Sequence, residues 1–157
     1  MAAGFSVTTG SAFAVTSGAK TLLNLLTGAT NPPIVTEFSL SFDGVTATAV
    51  PVLVELCAST QATAGTAGSV GTIVQVRGFP SFTAITTVAG QYTAEPTVLT
   101  PLRQWFVPAF MGMADWQMPL GREIQGIITA STNLKGIAFR VSAPAAVNTR
   151  GYAEWEE

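Results

Sequence analysis

Thr36-Glu37-Phe38-Ser39-Leu40-Ser41-Phe42 alternates apolar and polar residues without a break. A period of two puts Phe38, Leu40 and Phe42 on one face of an extended chain and Glu37, Ser39 and Ser41 on the other. That is the pattern of a strand buried on one side only. Asp43-Gly44 follows and reads as a turn. Val50-Pro51-Val52-Leu53-Val54-Glu55-Leu56-Cys57 is then a second strand. Val52, Val54 and Leu56 share its apolar face, and Leu53, Glu55 and Cys57 take the other. Pro51 suits the strand start, where a missing N–H costs least. The residues from Asp43 to Ala49 are expected to join the two strands as a hairpin with a loop longer than the two-residue minimum.

The same alternation recurs in the C-terminal third. Gly121 to Thr129 reads as a strand interrupted at Gly126, and Asn133-Leu134-Lys135-Gly136 as a turn into Ile137-Ala138-Phe139-Arg140-Val141. Ala143-Pro144-Ala145-Ala146 breaks the chain before a last strand, Val147 to Trp155. There Gly151, Ala153 and Trp155 oppose Tyr152, Glu154 and Glu156. Toward the N-terminus, Ala12–Thr16 and Lys20–Leu26 read as a pair of strands around Ser17-Gly18, and Asn31-Pro32-Pro33 ends the second. About eight short strands with regular turn signals predict an all-β chain, an antiparallel β-sandwich of jelly-roll type.

The 157 residues suit a single domain. Residues 1–11 are expected as an N-terminal arm and residues 58–101 as an extended insertion. The latter is rich in Thr, Ala and Gly, and a structureless loop of that length would be unusual in a compact domain. Its apolar content predicts an arm that orders against a neighbour, anchored by Ile73, Val74, Val76, Phe79 and Phe82.

Composition narrows function mainly by exclusion. Seven Lys and Arg stand against nine Asp and Glu, a net charge of −2. No basic excess is present to neutralise phosphates, so nucleic acid is not an expected partner. Histidine is absent, which removes His-based triads, imidazole metal ligands and the usual pH switch. A lone Cys57 cannot form an internal disulfide and has no base to activate it. Neither G-x-G-x-x-G nor G-x-x-x-x-G-K-[ST] occurs. Glu37 and Glu55, on strands read as neighbours, could face each other as an acid–base pair, but pairing with Arg or exposure to water is the simpler reading. Glu154, Glu156 and Glu157 form an acidic tail whose side chains diverge along a strand. No enzyme activity, cofactor or metal site is therefore expected.

Only 10% of the residues are charged, against about 25% in an ordinary globular domain, and the mean hydropathy is +0.43. No run of about 18 apolar residues exists to explain this by a membrane span, and no basic residue precedes an apolar stretch near Met1, so no secretory leader is expected. A chain with so few charges is expected to cover much of its surface with partners. The densest candidate is Gln104 to Leu120, with Trp105, Phe106, Phe110, Met111, Met113, Trp116 and Met118. A strand can bury only alternate members on one face, so part of the stretch is read as subunit contact, with core throughout as the alternative. The candidate contact residues are Ile73, Val76, Phe79, Phe82, Trp105, Phe106, Phe110 and Trp116. An aromatic platform for sugars or single strands is a further reading, although only Arg103 and Arg122 flank it.

The runs FSLSFDG (38–44), AVPVLVEL (49–56), PLGREI (119–124), FRVSAPAAVN (139–148) and the ending GYAEWEE resemble a group of small virion proteins of tailed bacteriophages, similar to head decoration (cement) proteins. The resemblance covers about Ala12 to Cys57 and Pro119 to Glu157. It implies a β-rich structural protein on the capsid exterior of a virion assembled in the host cytoplasm. Its partners would be the major capsid protein and its own copies, commonly as trimers at local three-fold sites. It carries over no catalytic residue; Asp43, Gly44, Gly121, Arg122 and Glu123 would be turn and interface elements. The alternatives are a tail or head-fibre component, for which repeats or a tip domain are missing, and a carbohydrate-binding sandwich using Trp105, Trp116 or Trp155.

Overall fold

The computed structural model describes residues 2–16, 18–27, 31–44, 50–60, 65–78, 80–97, 99–125 and 135–157. Thirteen strands lie among them: β1 (Gly4–Thr8), β2 (Phe13–Val15), β3 (Gly18–Leu26), β4 (Ile34–Phe42), β5 (Val52–Thr60), β6 (Thr66–Gly68), β7 (Val74–Arg77), β8 (Thr87–Ala94), β9 (Leu99–Val107), β10 (Met113–Gln117), β11 (Ile124–Gln125), β12 (Lys135–Ala143) and β13 (Val147–Glu156). They form two antiparallel sheets. The first runs β10-β4-β13-β1-β7, with β11 also beside β4 and β2 beside β13. The second runs β6-β8-β3-β12-β5-β9. The chain is an all-β sandwich.

The alternating segments supply the core. Phe38, Leu40 and Phe42 from β4, Val52, Val54 and Leu56 from β5, and Ile137, Phe139 and Val141 from β12 are all buried between the sheets. Phe38 meets Phe139 across the gap with ring centroids 4.9 Å apart. Each such side chain contributes about 1.5–3 kcal/mol when fully buried. In β13, Ala153 and Trp155 face inward, as their period of two requires, and Trp155 stacks on Phe5 at 5.9 Å. A register shift between Glu154 and Trp155 brings Trp155 opposite Val35, so both inward side chains meet in the core.

Three expectations are corrected. First, β4 and β5 are not a hairpin: β4 lies between β10 and β13 in the first sheet, β5 between β12 and β9 in the second. Each strand has one apolar face, and stacking across the sandwich buries both faces against each other. Residues 45–49 lie outside the described residues. By the same logic β2 and β3 separate, one into each sheet, and Glu37 and Glu55 end on opposite outer surfaces rather than facing each other.

Second, the N-terminal arm of residues 1–11 is instead largely β1, paired with β13 on one side and β7 on the other, because Phe5 and Val7 are core residues. Third, the described part of the 58–101 insertion is built into both sheets. Residues 58–60 finish β5, β6 and β8 belong to the second sheet, β7 closes the first, and β9 begins at Leu99. Tyr92 is buried, and Ile73 and Val88 pack against the core. Polar ties add to this. The Glu95 carboxylate accepts from Thr21 N at 3.0 Å and from Thr21 Oγ1 at 2.6 Å, and Gln91 Nε2 donates to Thr9 O at 2.6 Å. Of the Gly121–Thr129 strand, only Ile124–Gln125 is described as strand, and 126–134 lie outside the described residues.

Candidate interaction surface

The aromatic-rich stretch runs along one side of the sandwich. β9 is the edge of the second sheet and β10 the edge of the first, so residues 108–112 carry the chain from one sheet to the other. Trp105 and Trp116, on the inward faces of the two edge strands, meet edge to face at 4.5 Å and both pack on Phe38, at 5.5 and 6.2 Å. The Arg103 guanidinium lies 4.9 Å over the Trp116 ring, a favourable cation–π geometry. These two indoles are half-buried and close the open side of the core. Trp155 is wholly buried, so it cannot serve as a sugar platform, which corrects that part of the carbohydrate reading.

Their neighbours point the other way. Phe106, next to Trp105, is 71% exposed, and on the crossing and β10 Phe110 is 45%, Met111 77% and Met113 65% exposed. Met111 adopts a left-handed backbone, φ +49°, a conformation that costs a residue of this kind about 1–3 kcal/mol. Gly112 has no alternative, since a Cβ there would lie 1.8 Å from Pro108 O. Gly44 bridges to Phe110. The result is an open concavity of about 670 Å³ lined by Phe42, Asp43, Gly44, Phe110, Met111 and Met113, with Ser41 and Gly112 completing it. The Asp43 carboxylate at its rim accepts from Asn148 N at 3.0 Å and Asn148 Nδ2 at 2.9 Å. Further along the same edge, Leu120 is 96% exposed.

A smaller apolar group surrounds β7. Val74, Val76, Phe82 and Ile85 are exposed while Ile73 is half-buried. Gln75 organises this corner: its Oε1 accepts from Phe82 N at 2.8 Å, and its Nε2 donates to Arg77 O at 3.1 Å and Gly78 O at 3.0 Å. Phe79 lies outside the described residues. Of the candidate contact residues, Val76, Phe82, Phe106 and Phe110 are thus exposed, whereas Ile73, Trp105 and Trp116 lean on the core. Met111, Met113 and Leu120 are more exposed than most of those singled out. Their signal was a large apolar residue beside Gly or Pro, at Met111-Gly112-Met113 and Pro119-Leu120-Gly121.

The titratable groups sit mostly in structural pairs. Glu55 is buried on the outer face of β5, accepting from Arg140 Nε at 2.7 Å and Gln104 Nε2 at 2.5 Å. Burial pulls Arg140 down, but its hydrogen bond to Glu55 together with the neighbouring Cys57, Glu55 and Glu95 leaves it raised above its ordinary pKa. Cys57 is buried beside them, and burial pushes its thiol up to about 11 against the pull of Arg140. Glu37 accepts from Tyr152 Oη and from Gln117 Nε2. That hydrogen bond, then burial and the neighbouring carboxylates, hold the Tyr152 phenol well above its usual range. Arg77 lies 3.8 Å from Glu154 and 3.6 Å from Glu156; pairs this exposed contribute about 0–1 kcal/mol. Among the described residues, no group of three or more His, Cys, Asp or Glu could hold a metal ion, and no helix is long and apolar enough to cross a membrane. Comparisons with protein-family models, with curated proteins and with solved structures find no match to this chain.

Proposed function

We propose that the chain is a structural virion protein that binds the outer surface of a tailed-phage capsid and stabilises the shell by bridging capsid subunits, itself a homo-oligomer, most simply a trimer. The observation that carries this reading is the run of bulky exposed side chains, Phe106, Phe110, Met111, Met113 and Leu120, along one edge of a sandwich whose core is already filled. Among the described residues they stay exposed. In water each leaves up to about 1.5–3 kcal/mol of burial unrealised, least for Phe110, and a chain with 10% charged residues has little else to keep copies apart. Interfaces of permanent assemblies resemble a domain core cut in half, with aromatic residues and Met enriched. The resemblance of the two sequence blocks to head decoration proteins supplies the partner. The test is co-sedimentation of the purified protein with expanded heads of the phage that encodes it, followed by thermal disruption of the particles. Saturable binding with a higher disruption temperature is expected. Heads that neither bind the protein nor gain stability from it would remove the proposal.

A further inference from the structure

The β10 edge ends in two unlike features. Before Met113 lies the apolar concavity, with Phe42, Phe110, Met111 and Met113 in its lining and the Asp43 carboxylate on its rim. After Gln117 the chain hydrogen-bonds once more to β4, Met118 N donating to Thr36 O at 2.8 Å, then leaves the edge. It rejoins β4 only at Ile124, opposite Val35. The excursion is a tight turn, closed by Arg122 N donating to Pro119 O at 2.9 Å and made possible by Gly121 at φ +78°. Leu120 projects from its tip, almost fully in water, and Arg122 beside it has no ion pair among the described residues. Projection and hollow are separated by the five residues of β10, about 17 Å at the rise of an antiparallel strand, so they cannot meet within one chain.

We infer that the hollow receives the Leu120 turn of a second copy of this chain. Both halves of the contact are present on the one sequence: an apolar projection followed by Arg122 and Glu123, and an apolar hollow with Asp43 in its lining and Arg150 on the adjoining surface beside Asp43 and Met113. Seating Leu120 between Phe110 and Met113 brings Arg122 toward Asp43, whose carboxylate keeps acceptor capacity beyond its two bonds to Asn148. Charge complementarity of this kind fixes orientation and suppresses other pairings. Because projection and hollow are different surfaces, the contact is head to tail. Repeated about a closed axis it makes a ring, which gives the proposed trimer its interface. The inference rests on that reading only in taking a copy of the chain as occupant.

The experiment uses two full-length variants, Leu120→Asp, which spoils the projection, and Met111→Asp, which spoils the hollow. Both sites are exposed, and Asp accepts the left-handed backbone at position 111, so wild-type circular dichroism is expected of both. By light scattering at micromolar concentration the wild type should have the mass of three copies and each variant alone that of one, each self-affinity falling on the order of tenfold or more. An equimolar mixture retains one sound projection and one sound hollow and should form a two-copy species. Arg122→Glu should weaken wild-type association and reduce its salt dependence. Variants that keep the wild-type mass, a mixture that stays monomeric, or a wild-type chain that never associates would each overturn the contact. Head binding by the wild-type chain separates the two proposals: if the self-contact fails, the wild type still binds and stabilises heads, and if the capsid reading fails, the mixture result still stands.

Discussion

Cys57 has no exposed surface and pairs across the second sheet with Ala138 of β12 and Pro101 of β9. The thiolate is the reactive form, and burial holds the thiol up to about 11 from an ordinary 9.0. In the folded protein Cys57 should therefore stay unreactive to an aromatic disulfide reagent at pH 8, and react at once when the chain is unfolded in guanidinium. Rapid labelling of the native protein would contradict the packing. The same shift fixes a pH dependence. Below about pH 9 the thiol is protonated in both states and the shift has no effect. Between about 9 and 11 the unfolded chain loses the proton and the folded chain keeps it, so stability falls by about 3 kcal/mol over the window. Tyr152, raised through its hydrogen bond to Glu37, adds in the same direction at higher pH. Urea unfolding between pH 8 and 11 should show this decline, and Cys57→Ala should flatten its first part. That Glu55 would need an Arg could be read from one carboxylate in an apolar strand. That the Arg is Arg140 follows only from the register of β5 against β12.

Among the elements, the crossing from β9 to β10 is the most constrained. Its backbone packs so closely that Gly112 cannot carry a side chain, and a Cβ would meet Pro108 O before any neighbour could yield. Gly112→Ala should cost about 2 kcal/mol or more in a denaturant titration, and should disturb the near-ultraviolet signal of Trp105 and Trp116, which meet across the two strands that the crossing joins. An unchanged midpoint and spectrum would mean that the crossing can relax freely. Alternation alone located β4, β5, β12 and β13, because each turns one apolar face into the core and water decides which residues that face can hold. It could not assign the Trp105–Trp116 stretch. Both indoles lie on inward faces, but at sheet edges an inward side chain has only half a neighbourhood, so core and surface roles meet in the same residues.

For the molecule as a whole, the segment from Thr66 to Ala94 decides between an appended arm and a built-in part. It holds β6, β7 and β8, and its loss would leave β1 and β3 each without one of their two neighbours and remove Tyr92 from the interior. Replacing residues 66–94 with a short Gly-Ser linker should abolish the cooperative thermal transition and the near-ultraviolet spectrum. A shortened protein that unfolds cooperatively near the wild-type temperature would restore the arm.

Strand periodicity, the positions of Gly and Pro and the scarcity of charge are local properties, visible residue by residue. They were enough to establish an all-β chain, the inward faces of its main strands and a surface poor in charge. Which strands are neighbours is not local. An apolar face is equally well buried by a partner in the same sheet's fold-over or by a strand stacked opposite, and only the sum of all such burials places β4 and β5 in different sheets and draws residues 2–11, 65–78 and 80–97 into the sandwich. The same global packing left Phe106, Met111, Met113 and Leu120 outside. Composition could count these residues as apolar, but which apolar residues stay outside follows from the packing of the whole chain.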